Sequence, residues 1–393
     1  MNGPLRWEEL VLVPATPAQA KLTWTRTLCE WGKGLTLDQY HEREHVLANT
    51  DFARDNLQVY VLVPKDDPTT LDPLAHCDVY KRPCWQLLWS ERRGDPDLPY
   101  CQLVEGDAYS VASVFCPPEY RGCGYGSVMI RQLYALLKQN RTTPSLSSLY
   151  SDIGPKFYGR SGWVMYPAEQ INVPVSAQVI RPLSLQRIKR LTDPMAVPLI
   201  DQDCADLKRR LITMGFERSQ RAVDPGYVKS NSVLIVPNRA TYRWHWARAI
   251  YMGPILGATA PECVGASVPR SLAMPSAEVG PSFMLWFHDF AAKALIVLRT
   301  RLAQPSDLEL LLQAATDEAL AHQLERIELW SLEDPDTLGV VTSMVRLSKI
   351  PAYFHAKKIE RTHSLPGLAT FYSDTLADTT ISEWLCNDRY AWV

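Results

Sequence analysis

Six residues, Arg121-Gly122-Cys123-Gly124-Tyr125-Gly126, carry the strongest chemical signal in the chain. Three glycines in five positions remove the side chains that would block a close ligand. They also let successive main-chain N–H groups turn toward one point. An apolar run over 109–116 comes first and reads as a buried strand. A helix follows over 127–139, with Val128, Ile130, Leu133, Tyr134, Leu136 and Leu137 near one face. The helix start adds unpaired N–H groups and the positive end of a dipole, so the loop suits a phosphate. Its spacing, Arg-x-x-Gly-x-Gly, differs from the dinucleotide fingerprint Gly-x-Gly-x-x-Gly. There is no Gly-Lys-Ser/Thr for a nucleoside triphosphate.

Two further stretches have spacings that could do chemistry. His41-Glu42-Arg43-Glu44-His45 sets two histidines four apart, on one face of a helix over 37–49. That is the zinc spacing His-Glu-x-x-His. A third ligand is missing: Ala48 and Asp51 stand where the longer motif has Gly and His, and no Glu occurs between 46 and 90. The run reads as a solvated face of mixed charge, and no metal is expected. The other stretch is Phe157-Tyr158, followed by Gly162-Trp163. On its own it reads as two rings packing a short helix on a sheet. Cys116 and Cys123 flank the start of the glycine loop, but nothing nearby in sequence would activate either thiol.

These residues need a scaffold. Apolar periodicity predicts a strand over 9–13, helices over 17–31 and 37–49, and a strand over 58–63. A strand within 74–88 is expected to be interrupted at Pro83, and 94–97 reads as a loop. After the glycine loop and its helix come strands over 147–153 and 168–174. Later, 201–214 reads as a helix stopped by Gly215, and 232–236 as a strand. An aromatic segment over 242–251 carries Trp244, His245 and Trp246, and 253–282 reads as a long loop. Strands over 283–290 and 292–300 surround His288-Asp289. Leu308, Leu311, Leu312, Ala315, Ala319 and Leu320 mark a helix over 305–324, followed by a strand over 327–332. His245 and His288 read as core or hydrogen-bonded histidines, and the basic residues of 179–190 as a solvated connector.

The chain has 393 residues, 46% hydrophobic and 21% charged, enough for two domains with ordinary cores. A net charge of −2 gives no basic excess for nucleic acid or an anionic membrane. No apolar run is long enough to span a bilayer. Nine scattered cysteines without a Cys-x-x-Cys point to reduced thiols, and the N-terminus does not read as a signal peptide. A cytoplasmic location is expected.

Arg121, Gly124 and Gly126, behind a strand and Pro118-Glu119-Tyr120, resemble motif A of the GNAT acetyltransferases, which use acetyl-coenzyme A. Phe157-Tyr158, one strand later, resembles that family's second diagnostic stretch. The resemblance implies an α/β GNAT fold with a mixed sheet over 1–178. A helical connector would cover 179–225, and a second α/β domain over 226–393 reads as a degenerate GNAT-like copy without a cofactor loop. It implies that Val114, Phe115 and Cys116 offer main-chain groups to the pantetheine arm. Arg121, Gly122, Cys123, Gly124, Tyr125, Gly126 and Ser127 would hold the pyrophosphate, and Tyr158 would give a proton to the departing thiolate. Asp152 and Glu44 are candidate bases beside a water chain. The runs 113–122, 149–154 and 242–248 are similar to the fungal lysine N6-acetyltransferase group, so L-lysine is one expected acceptor. A natural-product amine or hydroxyl, and a non-catalytic acyl-CoA-binding protein, are the alternatives. The second half is expected to close the acceptor pocket through the segments 242–248, with Trp244, and 388–393, with an ionic contact to the acceptor from Asp388 or Glu383.

Overall fold

The computed structural model describes residues 6–89, 101–139, 145–175, 188–222, 224, 226–227, 229–269, 280–330, 350–371 and 381–393. The chain opens with β1 (Leu10–Pro14), α1 (Pro17–Trp31) and α2 (Leu37–Ala48). Each of these two helices starts at a capping box, Thr16 with Gln19 and Thr36 with Gln39, which satisfies two otherwise unpaired N–H groups. Then follow β2 (Leu57–Pro64), β3 (Ala75–Trp89), β4 (Cys101–Phe115), α3 (Tyr125–Gln139), β5 (Ser145–Ser151), α4 (Lys156–Gly159), β6 (Val164–Met165) and β7 (Glu169–Pro174). The later elements are β8 (Lys189–Leu191), α5 (Asp193–Arg221), β9 (Asn231–Ile235), α6 (Arg239–Ile255), β10 (Gly265–Val268), β11 (Ser282–Asp289) and β12 (Ala294–Arg301). The last are α7 (Asp307–Ala321), β13 (Arg326–Leu329), β14 (Lys357–Glu360), β15 (Leu365–Phe371) and β16 (Ile381–Trp384).

Two mixed sheets result. The first runs β1-β2-β3-β4-β5-β15-β6, with β9 pairing β3 and β16 pairing β9. The second runs β14-β7-β13-β12-β11-β10-β8. Both contain a strand, a crossover helix and a parallel strand: β4-α3-β5 in the first, β12-α7-β13 in the second. The second crossover enters its helix through Leu302 to Ser306, without a glycine, and puts Asp307 at the helix start. An acidic side chain there repels a phosphate, so this crossover offers no phosphate loop. Helices α5 and α6 lie between the sheets, sharing one core with residues of β3, β9, β11 and β12. Helix α3 covers the first sheet through Val128, Met129, Ile130, Leu133 and Leu137, while Leu136 faces out.

The sheets do not respect the division expected near residue 178. Strand β7 pairs β13 and β14 in the second sheet, and β15 is inserted between β5 and β6 in the first. Pro83 does not interrupt β3. On one edge β3 pairs β2 up to Tyr80 and β9 from Cys84, so Pro83 falls between partners and its missing N–H costs no ladder bond there. Gly215 does not stop α5 either. A Cβ there would come within 2.9 Å of the Cys101 carbonyl oxygen, so the glycine lets the helix lie close on β4. The aromatic segment is α6, and β10 lies inside the stretch read as a loop. The 94–97 loop, and 179–187 of the basic connector, lie outside the described residues. Among the described residues no helix is long and apolar enough to cross a membrane.

Candidate active site

A cavity of about 960 Å³ opens beside the end of β4. Pairing of β4 with β5 stops at Val111–Leu149, so the two strands part there. On the other side, the register with β3 slips between His76 and Asp78, where β4 holds one extra residue. This bulge lies at Ser113, a non-glycine residue with φ 50°. Beyond it Val114, Phe115 and Cys116 line the cavity.

The glycine loop forms the adjoining wall. Gly122 and Gly124 have φ of 83° and 84°, a left-handed backbone that other residues rarely adopt. Arg121 Nε donates to the Cys116 carbonyl at 3.0 Å, and its Nη2 pairs with Glu30 of α1 at 2.9 Å. Gly122, Gly124, Tyr125, Gly126 and Ser127 all line the cavity at the N-terminus of α3. Cys123 is exposed and does not. Tyr158 faces the cavity from α4, and its hydroxyl makes no hydrogen bond among the described residues. Burial, then the charges of Cys77 and Asp152, push its pKa well up, so the phenol keeps its proton. Burial also raises the Cys116 thiol, which donates to the Leu74 carbonyl; it is no activated nucleophile.

The other end is built by α2, α6 and Trp392. Glu44 accepts from Arg43 Nε at 2.9 Å, and Arg43 also donates to the Trp31 carbonyl. Asp152 accepts from the Ser364 main-chain N–H at 2.7 Å. Trp244 packs with Phe52 and Tyr80, and its buried indole N–H has no partner among the described residues. Arg248, one turn along α6, lines the cavity with no carboxylate within 4 Å among the described residues. Burial and then the neighbouring charge of Arg43 pull its pKa down. Sequence reasoning named the segment 242–248 without singling out Arg248, and it missed Tyr40, Tyr80 and Ser113 as lining residues. Arg248 had a signal: it is four residues from Trp244, hence on the same helical face.

The family description "LYC1 GNAT-like C-terminal domain" matches residues 170–393. The chain belongs to this LYC1 GNAT-like family. The match begins on β7, the first strand of the chain to enter the second sheet. A lysine acetyltransferase of Yarrowia lipolytica is 25% identical over 361 residues, 81% of this chain and 83% of that protein. Among solved structures, a probable N-acyltransferase from Enterococcus faecalis superposes with a TM-score of 0.54 at 12% identity, covering 94% of this chain and 74% of that one. The chain has the GNAT fold and is an acyltransferase of the GNAT type; proteins of this fold use acetyl-CoA.

In this LYC1 GNAT-like chain some expected contributors lie elsewhere. Asp388 is buried and held by Arg299 Nη1 at 3.0 Å, in a network where Arg299 Nε also binds Asp203 at 2.6 Å. Glu383 is held by Arg218 and Ser232, each at 2.6 Å. Neither lines the cavity. Each found an arginine distant in sequence, which removes it from acceptor recognition. His245 is buried among Phe287, Trp244 and Trp392, and burial drives its pKa well down. His288 bonds Glu318 at 2.9 Å beside His322, also outside the cavity. His41 contacts the Thr25 hydroxyl at 2.9 Å, and among the described residues neither His41 nor His45 belongs to a metal-ligand cluster.

Proposed function

We propose that this chain transfers the acetyl group of acetyl-CoA to the amine of a small amino acid, L-lysine first. One observation carries the reading: a single cavity runs from the glycine loop and Tyr158 to a charged, aromatic end holding Glu44, Asp152, Trp244 and Arg248. The loop fits a pyrophosphate, since its left-handed glycines and the N-terminus of α3 aim main-chain N–H groups at one point. Acetyl-CoA supplies an activated acetyl thioester. Main-chain groups of Val114 to Cys116 would orient the arm, and an N–H there would polarise the carbonyl, an effect worth roughly 3–4 kcal/mol. Tyr158 would protonate the leaving thiolate. Arg248 suits a carboxylate, while Glu44 and Asp152 suit an ammonium. The name of the Yarrowia relative agrees with lysine.

The test is thiol release from acetyl-CoA with a panel of amines headed by L-lysine and cadaverine, which lacks the carboxylate. L-Lysine should be preferred, and Arg248→Ala should raise KM for lysine but not for cadaverine. No thiol release with any amine would overturn the reading.

A further inference from the structure

An ammonium cannot attack a thioester until it loses a proton, so an amine acceptor needs a base near the bulge of β4. The side-chain carboxylates lining the cavity are engaged. Glu30 pairs with Arg121, Glu44 with Arg43, and Asp152 accepts from the Ser364 N–H and hydroxyl. Asp78 differs. It is on β3 two residues before Tyr80, hence on the same face of the sheet, and Tyr80 lines the cavity. It is 9% exposed, with no cation within 4 Å among the described residues. Its register partner on β4 is Ala112, so Ser113 is the next residue along, and the Ser113 hydroxyl is near enough to act on the carboxyl as a hydrogen-bond donor. Ser113 lines the cavity and directly precedes Val114. It holds a left-handed backbone unfavourable for serine, strain of the kind found at functional sites.

We propose that the Asp78 carboxylate, acting through the Ser113 hydroxyl, takes the proton that the acceptor ammonium must lose; this rests on the amine reading above. The ammonium N–H bond breaks as its proton passes to the Ser113 oxygen, and the Ser113 proton passes to Asp78. The freed nitrogen lone pair attacks the carbonyl carbon. The C–S bond then breaks, and the thiolate takes the Tyr158 proton. The second proton shed by nitrogen restores the phenol, and Asp78 releases its proton to water. The environment suits the role. Burial raises the Asp78 carboxyl to about 7, with Ser113 donation pulling it down and the charge of Glu44 adding to the rise. The groups acting on it are Glu44 from α2 and Ser113 from β4; Tyr80 shares its face, Cys77 points to the other face, and none of them is cationic.

Asp78→Asn and Ser113→Gly test this. Glycine suits the backbone at 113, so the second variant removes the hydroxyl while relieving strain. With L-lysine, or whichever amine of the panel the wild type accepts best, both variants should lower kcat/KM by roughly 10²–10⁴-fold. Asp78→Asn should also abolish the acid limb of the wild-type pH profile. An analogue ending in –O–NH2, already neutral at pH 7, needs no base, so both variants should use it near the wild-type rate with unchanged acetyl-CoA affinity. Equal slowing on both acceptors would mean a structural role and overturn the proposal, as would an intact acid limb in Asp78→Asn. A wild type that acetylates no amine brings down the amine reading itself, and this proposal with it.

Discussion

Replacing Gly124 by alanine tests whether the loop main chain holds the pyrophosphate. Gly124 has φ of +84°, and an added Cβ would meet the Trp7 ring at 3.6 Å, an ordinary contact. Side-chain crowding is therefore absent and backbone strain remains, about 1–2 kcal/mol for an L-residue in the left-handed region. A loop that relieves the strain leaves the phosphate-binding conformation, and the apparent Kd rises by the inverse of the fraction that stays competent. At 1.4 kcal/mol per factor of ten, that strain corresponds to about 5–30-fold. Calorimetric titration with coenzyme A measures it directly. Cys123→Ser is the control, because Cys123 is exposed and outside the cavity. An alanine variant that binds coenzyme A as tightly as wild type, or an equal loss in Cys123→Ser, would refute the reasoning.

Tyr158→Phe should lower the single-turnover rate by roughly 10²–10⁴-fold while leaving coenzyme A affinity intact; an unchanged rate would reduce the side chain to packing. Arg299→Leu should cost about 3–5 kcal/mol in a denaturant titration, because it removes the arginine of buried Asp388 and leaves buried Asp203 only the longer contact to Arg301 Nη1 at 3.6 Å. Asp388→Asn should destabilise less and leave KM for the acceptor unchanged; a shifted KM would return Asp388 to the acceptor site. The raised carboxyl of Asp78 gives a stability signature. Its folded pKa lies above the unfolded value of about 3.9, so its contribution is fully present below that pH and is lost as pH rises through about 7. That loss is on the order of 4 kcal/mol at most. Asparagine mimics the neutral acid, so Asp78→Asn should melt above wild type at pH 8 and converge with it at pH 4. A variant less stable at pH 8 would contradict the assignment.

The cofactor end was legible because its signal is local: Arg121, the glycines and the α3 stripe occupy one short stretch of chain. The alternation of strands and helices gave the fold class for the same reason. What escaped the sequence depends on partners brought together by folding. Asp388 looks like a free acid near the end of the chain until Arg299 on β12 reaches it. Pro83 looks like a strand breaker until β3 is seen to change neighbours around it. Gly215 looks like a helix stop until β4 lies against it. Asp78 carries no motif at all; it gains meaning from a bulge on the next strand, set by register rather than residue type.

The insertion of β15 also constrains how the protein is made. Leu365 pairs with Ser151 and Phe371 with Ser145, so β5 gains its outer neighbour only after residue 371 has left the ribosome, more than two hundred residues later. Until then the nascent first sheet exposes the edge of β5, a row of unpaired N–H and C=O groups open to other chains. Such distant pairing also slows folding, because the long intervening loop must close first. Interrupted synthesis would therefore release an aggregation-prone fragment carrying an intact glycine loop, and chaperone protection of that edge would govern the yield of active enzyme.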